Sequence, residues 1–275
     1  MSFRLPLCCT HALLAGVFAM GVNGPVVAAT VLVYDSAGFE PPRFLTSQNL
    51  QGQDAPPAGQ GPWRKDAGVS TAIVQTAVVA GGLQAVQVSR VANTRGDTRW
   101  AVIKPVTPTS GQNIISVEFE MRVQAASGLS FGPAFGIECY DSSAGAPKLI
   151  GSLTVDATTG DVLYQVAGSG ALAESGTSVP FGIFQRYTLT ANFTTKRYSI
   201  FVDDDLLHTE PFVDAGAVQF TDAPLVTFAA TSDTIATATG TAYFDNYVIT
   251  AVPEPSVAGL LALGASALWR SKPRR

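Results

Sequence analysis

Between Thr30 and Ala251 the chain alternates apolar and polar positions in short runs, with a period of two residues and no sustained helical stripe. The alternation is clearest over Ile114–Val123, where Ile115, Val117, Phe119, Met121 and Val123 share one side and Glu118, Glu120 and Arg122 the other. Gln185–Phe193 repeats it, setting Tyr187, Leu189, Ala191 and Phe193 against Arg186, Thr188 and Thr190. Similar runs, β-branched or aromatic and bounded by Gly, Pro, Asp or Ser, predict further strands. These cover Val31–Tyr34, Thr71–Thr76, Ala85–Arg90, Trp100–Lys104, Ala134–Tyr140, Lys148–Val155, Val162–Val166, Arg197–Val202, Leu206–Pro211, Pro224–Ala230 and Ala242–Thr250. So many half-buried strands in about 220 residues predict one all-β domain, two antiparallel sheets packed around a single core.

Three polar segments have the length of hairpin turns. Asp156–Asp161 links two of the runs, with Gly160 suited to a positive φ, while Thr194–Lys196 and Asp203–Asp205 link the next three. The Pro- and Gly-rich stretch Asp54–Gly61 reads as a surface loop. The body carries 20 acidic and 12 basic side chains, a net charge of −8, which argues against nucleic acid and anionic lipid as partners. Of the three cysteines only Cys139 lies in the body, inside an apolar run. No intrachain disulfide is expected there, and the thiol should behave as a small buried hydrophobe.

Both ends differ from the body. Residues 1–29 read as a secretory signal peptide: Arg4, then the apolar stretch Ala12–Met20, then Val27-Ala28-Ala29 before a cut near Thr30. Cys8 and Cys9 precede the apolar stretch, so they form no lipid-attachment site. Residues 252–275 open with Val252-Pro253-Glu254-Pro255, whose prolines end any preceding strand. The uncharged run Val257–Trp269 follows, then Arg270, Lys272, Arg274 and Arg275. The run suits a bilayer and the cations suit its cytoplasmic side. At about 1.5 Å per residue it reaches only ~20 Å of a ~30 Å hydrocarbon core, so it predicts a short, provisional anchor.

That tripartite end resembles the PEP-CTERM sorting signal of Gram-negative bacteria: a Pro-Glu-Pro motif, a short hydrophobic transmembrane helix and a basic terminus. The resemblance implies an exosortase and the secretion machinery as partners, transit through the inner membrane, and delivery to the cell surface or an extracellular matrix. An ordinary tail anchor is the competing expectation.

A second resemblance covers the body. The segment Tyr187–Leu206, the opening Gly38-Phe39-Glu40, Gln51-Gly52-Gln53 with Trp63, and the closing Tyr243-Phe244-Asp245-Asn246-Tyr247-Val248 resemble laminin-G-like and concanavalin-like jelly rolls. This implies a jelly-roll sandwich over residues 30–251. In related modules an acid of the closing strand and one near the opening strand hold a structural Ca²⁺, and the matching residues are Asp245 and Glu40. A hydrogen-bonded pair of buried acids is an equal expectation.

Little catalytic chemistry stands out. Laminarinase-type glucanases on this fold carry alternating acids on one strand, and the nearest match is Glu118-Phe119-Glu120, without a third acid and with Arg122 on the same face. A solvated strand face explains it. His208 is the body's lone histidine and reads as a surface residue, and Asp203-Asp204-Asp205 reads as a hairpin turn in preference to a calcium loop. No nucleophile elbow, phosphate loop or metal-histidine spacing occurs.

For glycan binding, flat rings matter, so Trp63 and Trp100 are the candidates, with Asp97 and Arg99 as polar partners. Trp100 opens an apolar strand and fits the core better. Thr237, Thr239 and Thr241 alternate, as an ice-binding face would, but make a small array. The sequence therefore predicts an exported, non-enzymatic sandwich with no catalytic residues, associated with an extracellular polysaccharide of a biofilm-like matrix. A polysaccharide-active enzyme on the same fold, hydrolase or lyase, and an ice-binding surface protein are the alternatives.

Overall fold

The computed structural model describes residues 29–54, 62–66, 68–92, 96–109, 111–127, 130–228 and 238–253. Residues 1–28 of the expected signal peptide, the expected sorting residues Glu254, Pro255, Arg270, Lys272, Arg274 and Arg275, and Thr237 lie outside them. Among the described residues no helix is long and apolar enough to cross a membrane.

The strands, in chain order, are β1 (Val31–Asp35), β2 (Arg64–Lys65), β3 (Thr71–Gln75), β4 (Ala85–Arg90), β5 (Thr98–Ala101), β6 (Ile114–Val123), β7 (Ala134–Asp141) and β8 (Lys148–Asp156). They continue with β9 (Asp161–Gln165), β10 (Leu172–Ser178), β11 (Gln185–Asn192), β12 (Arg197–Val202), β13 (Asp205–Pro211), β14 (Leu225–Phe228) and β15 (Gly240–Val252). One 3₁₀ turn, Ala37–Phe39, follows β1. All pairing is antiparallel. The first sheet runs β13-β12-β11-β6-β15-β4-β3 with β1 beside β15, and the second runs β10-β9-β8-β7-β14-β5-β2. The two-sheet sandwich expected from the alternation, and the jelly roll that the resemblance implied, are what the chain forms.

Alternation decides which residues meet. Ile115, Val117, Phe119, Met121 and Val123 of β6 are all buried, as are Tyr187, Leu189 and Ala191 of β11. Register places Phe119 opposite Tyr187, and their rings stack at 5.5 Å. From the second sheet Phe135, Ile137 and Cys139 of β7, Leu153 and Val155 of β8, and Trp100 of β5 enter the same core. Removing each large side chain from water stabilises the fold by roughly 1.5–3 kcal/mol. Cys139 is fully buried, and burial pushes its thiol well above the usual range.

Glycine is needed where the two sheets approach closely, at Gly151, and where β7 lies tightly against β8, at Gly136. A Cβ on Gly151 would lie 2.5 Å from the Tyr198 ring, and one on Gly136 would lie 2.1 Å from the Leu153 carbonyl oxygen. The hairpins form as expected. Asp156 Oδ1 accepts from the Thr158 and Thr159 N–H groups, and Gly160 takes φ 82°. Asp203 and Asp204 turn β12 into β13 at positive φ, and Arg186 pairs with Asp204.

Two strands were not expected. β2 is two residues long, and β10 (Leu-Ala-Glu-Ser-Gly-Thr-Ser) is an edge strand with no apolar alternation.

Candidate functional site

The outward face of the second sheet is built by the residues that the core rejects. On β7, alternation with Phe135, Ile137 and Cys139 turns Glu138 and Tyr140 outward, and on β5 alternation with Trp100 turns Arg99 and Ala101 the same way. Strand β14 lies between β7 and β5. Next to them opens a groove of about 640 Å³, lined by Arg64, Asp66, Arg99, Tyr140, Ser142 and Asp222 among others.

Arg99 and Tyr140 converge on one carboxylate oxygen. Arg99 Nε donates to Glu138 Oε2 at 2.5 Å, and the Tyr140 hydroxyl donates to the same atom at 2.9 Å. Glu138 is only 2% exposed, whereas Arg99 is partly exposed and reaches the groove. A buried carboxylate thus fixes two groups that face a ligand. Burial works against the Arg99 cation, but the Glu138 charge and hydrogen bond, with Tyr140 and Asp97, hold its proton more firmly than usual. Burial first and then Glu138 keep the Tyr140 phenol protonated well above its ordinary range.

Asp222 sits in a bridge opposite Tyr140, and the Thr221 hydroxyl donates to its Oδ1 at 2.6 Å. Burial raises its proton affinity, the Thr221 hydrogen bond lowers it, and the nearby Asp66 adds to the rise. The groove therefore combines a held cation, a protonated phenol and a carboxyl shifted toward its acid form. Such sets are concentrated where bonds are made or broken.

The glycan-binding expectation for Trp63 needs correction, and Trp100 lies in the core, as its place at the start of an apolar strand suggested. Trp63 and Trp100 are each 1% exposed, so neither offers a face to a sugar. Trp63 donates from Nε1 to the Tyr34 hydroxyl at 3.0 Å, and both indoles belong to the core. Of the four residues named for glycan binding, Arg99 lines the groove, and Asp97 stands 3.7 Å from Arg99 Nη2. Glu118 and Glu120 lie on the outer face of the first sheet, away from the groove, and Glu120 accepts from Asn246 Nδ2. His208 is half-buried at the sandwich edge, stacked on Tyr164 at 3.9 Å and 3.2 Å from Glu210.

Glu40 and Asp245 do come together around one segment, residues 80–84. Glu40 Oε1 accepts from the Leu83 and Gln84 N–H groups at 2.6 and 3.0 Å. Asp245 Oδ2 accepts from Ala80 and Gly81 at 3.0 and 3.2 Å, and Oδ1 from Asn246 at 2.8 Å. This donor set does not fit Ca²⁺, because N–H dipoles face the oxygens a cation would need. Among the described residues no group of three or more His, Cys, Asp or Glu could hold a metal.

Sequence reasoning missed Glu138, Tyr140 and Asp222 as site residues. The available signal was a glutamate inside the apolar run Ala134–Tyr140, where alternation must send it to the face opposite the core.

No family model matches the chain, and no curated protein matches it. Similar solved structures include a "Sialidase" (9% identity, TM-score 0.48), of which the chain covers 19% while 78% of the chain aligns. "Cellulose induced protein, Cip1" matches at 18% identity and TM-score 0.47, over 68% of this chain and 90% of that one. The endo-beta-1,4-glucuronan lyase of the fungus Trichoderma reesei matches at 12% identity and TM-score 0.46, over 71% of this chain and 92% of that one. Alginate lyases match at similar levels. Neighbours named as lyases contradict the expectation of a non-enzymatic body, though the likeness itself is one of fold alone.

Proposed function

We propose that the protein is an exported polysaccharide-active enzyme that cleaves glycosidic bonds in the groove of the second sheet. The observation that carries this reading is the convergence of Arg99 and Tyr140 on buried Glu138 beside the high-proton-affinity carboxyl of Asp222. Arg99 offers N–H groups to sugar hydroxyls or to a uronate carboxylate, and Tyr140 gives a second fixed donor. Asp222 supplies the proton that the glycosidic oxygen must gain as its C–O bond breaks. In hydrolysis a water adds its hydroxyl to the sugar carbon and its proton restores Asp222. In elimination the ring proton beside the uronate carboxylate is lost to solvent, which reprotonates Asp222. Glu138 touches no substrate and acts as a positioning residue.

The test is turnover on a panel of neutral and uronate polysaccharides, read as new reducing ends and as ultraviolet absorbance of unsaturated products. Reducing ends alone indicate hydrolysis, and both signals together indicate elimination. Asp222→Asn and Arg99→Ala are each expected to lose about 100-fold or more in rate. No turnover on any polymer, or undiminished turnover by both variants, would end the enzyme reading.

Export and sorting belong to the same proposal. The support is the order of the Pro253-Glu254-Pro255 motif, the apolar run Val257–Trp269 and the basic end. Mass spectrometry of the exported form is expected to lack the peptide from Trp269 to Arg275, and its recovery intact would argue for a retained anchor.

A further inference from the structure

A second polar centre lies inside the sandwich, away from the groove. Arg90 ends β4, and its alternation with Val86 and Val88 turns its side chain inward, where it is 2% exposed. Nη1 donates to the Gly96 carbonyl at 3.2 Å and, at 3.5 Å, toward the Thr227 carbonyl on the opposite sheet. Nε and Nη2 have no hydrogen-bond partner among the described residues. Thr227 of β14 and Thr98 of β5 are register partners, both fully buried, and neither Oγ1 has a partner there either. One sheet thus brings an unpaired guanidinium edge to the strand pair where the other brings two unpaired hydroxyls.

Unpaired donors at this depth are costly, and native interiors rarely keep four together. The free atoms on Arg90 are also a specific pair. Nε and Nη2 form the edge of the guanidinium that presents two parallel N–H bonds, the geometry matched by a planar oxyanion. Asp97 attracts this cation, but it also lies 3.7 Å from Arg99 Nη2, so its charge is shared. A threonine hydroxyl can rotate to donate, so Thr98 and Thr227 add two possible donors on the strand pair that Arg90 reaches.

We propose that Arg90, Thr98 and Thr227 hold a small planar monovalent anion of the carboxylate or nitrate class between the two sheets. The anion would tie β4 to β5 and β14 at the end of the sandwich where those strands meet.

Thermal unfolding of the purified full chain tests this, at fixed pH and ionic strength, in formate or nitrate against a bulky anion such as gluconate. A saturable rise in Tm with formate or nitrate is expected for the native chain. Arg90→Met should abolish it. Thr98→Val with Thr227→Val keeps the guanidinium and should weaken half-saturation about tenfold, which gives a second readout if Arg90→Met does not fold. Equal Tm in all anions, or an anion-dependent rise of the same size in the variants, overturns the proposal and assigns the space to water alone. Glycan turnover plays no part in the readout, so this outcome is separable from that of the groove.

Discussion

The Tyr34 hydroxyl donates to Asp54 Oδ2 at 2.7 Å, joining β1 to the segment before Trp63 across 20 residues of sequence. Asp54 is fully buried and accepts from Arg43 Nε at 2.8 Å through its other oxygen, while Trp63 donates to the Tyr34 oxygen. Lys104 Nζ lies 5.1 Å from the Tyr34 ring centre. One carboxylate therefore anchors a phenol and a guanidinium at one end of the core. Asp54→Ala should cost about 3 kcal/mol, because two buried or half-buried donors lose their acceptor. Tyr34→Phe should cost less, about 1–2 kcal/mol, by leaving the Trp63 N–H unpaired. Urea unfolding checks both. The double variant should fall short of the sum, since the two side chains share one network.

The alternation along β6, β11 and β12 was enough to place their residues in the core, because each pairs on both sides and buries one face. β10 escaped because an edge strand pairs on one side only and buries no continuous apolar face. The site was harder to see. Arg99, Glu138 and Asp222 lie on three separate segments brought side by side by the order β7-β14-β5 and the chain leading into β14, and register of that kind is not a local property. Trp63 misled for the opposite reason. A tryptophan beside a Pro- and Gly-rich loop looks exposed in sequence, yet Tyr247 and Phe39 pack around its ring at 5.6 and 6.0 Å.

Asp245 gives a pH signature. Burial raises its pKa to about 6, against the pull of the Gly81, Ala80 and Asn246 N–H groups, and Glu120 adds to the rise. The folded protein therefore holds a proton that an unfolded aspartate, near about 3.9, has released. Its stabilising contribution is present below about pH 4 and is lost as pH rises through 6, amounting to up to about 3 kcal/mol. Asp245→Asn should remove this slope, and a matched pair of urea titrations at pH 4.5 and 7 measures it. Adding Ca²⁺ should leave the difference unchanged, since N–H donors occupy the carboxylate. A large rise in Tm with Ca²⁺ would instead show that Glu40 and Asp245 reorganise around a cation.

Gly136 faces the Leu153 carbonyl and Thr154 Cα, where a Cβ would approach to 2.1 and 2.7 Å. Both obstacles are backbone, so no rotamer change relieves them. Gly136→Ala should cost about 1–3 kcal/mol and push β7 away from β8. Because Glu138 is two residues along the same strand, turnover should fall as well, while Gly81→Ala, whose Cβ would meet only Asn246 Nδ2 at 3.7 Å, should leave turnover unchanged.

Glu138 offers the sharpest division between positioning and proton transfer. Glu138→Gln keeps an acceptor for Arg99 and Tyr140 but removes the charge that fixes them, so turnover should drop about 10–100-fold with the fold intact. Glu138→Leu removes the acceptor and should be worse. Asp222 is different, because in the proposed mechanism its protonated form acts. Its raised proton affinity means that activity should decline as pH rises past its pKa, giving the high-pH limb of the rate profile. That limb should persist in Glu138→Gln, at lower amplitude, and disappear in Asp222→Asn. If Glu138→Gln abolishes the limb while Asp222→Asn preserves it, the proton donor is misassigned and the carboxyl under Arg99 and Tyr140 is the titrating group.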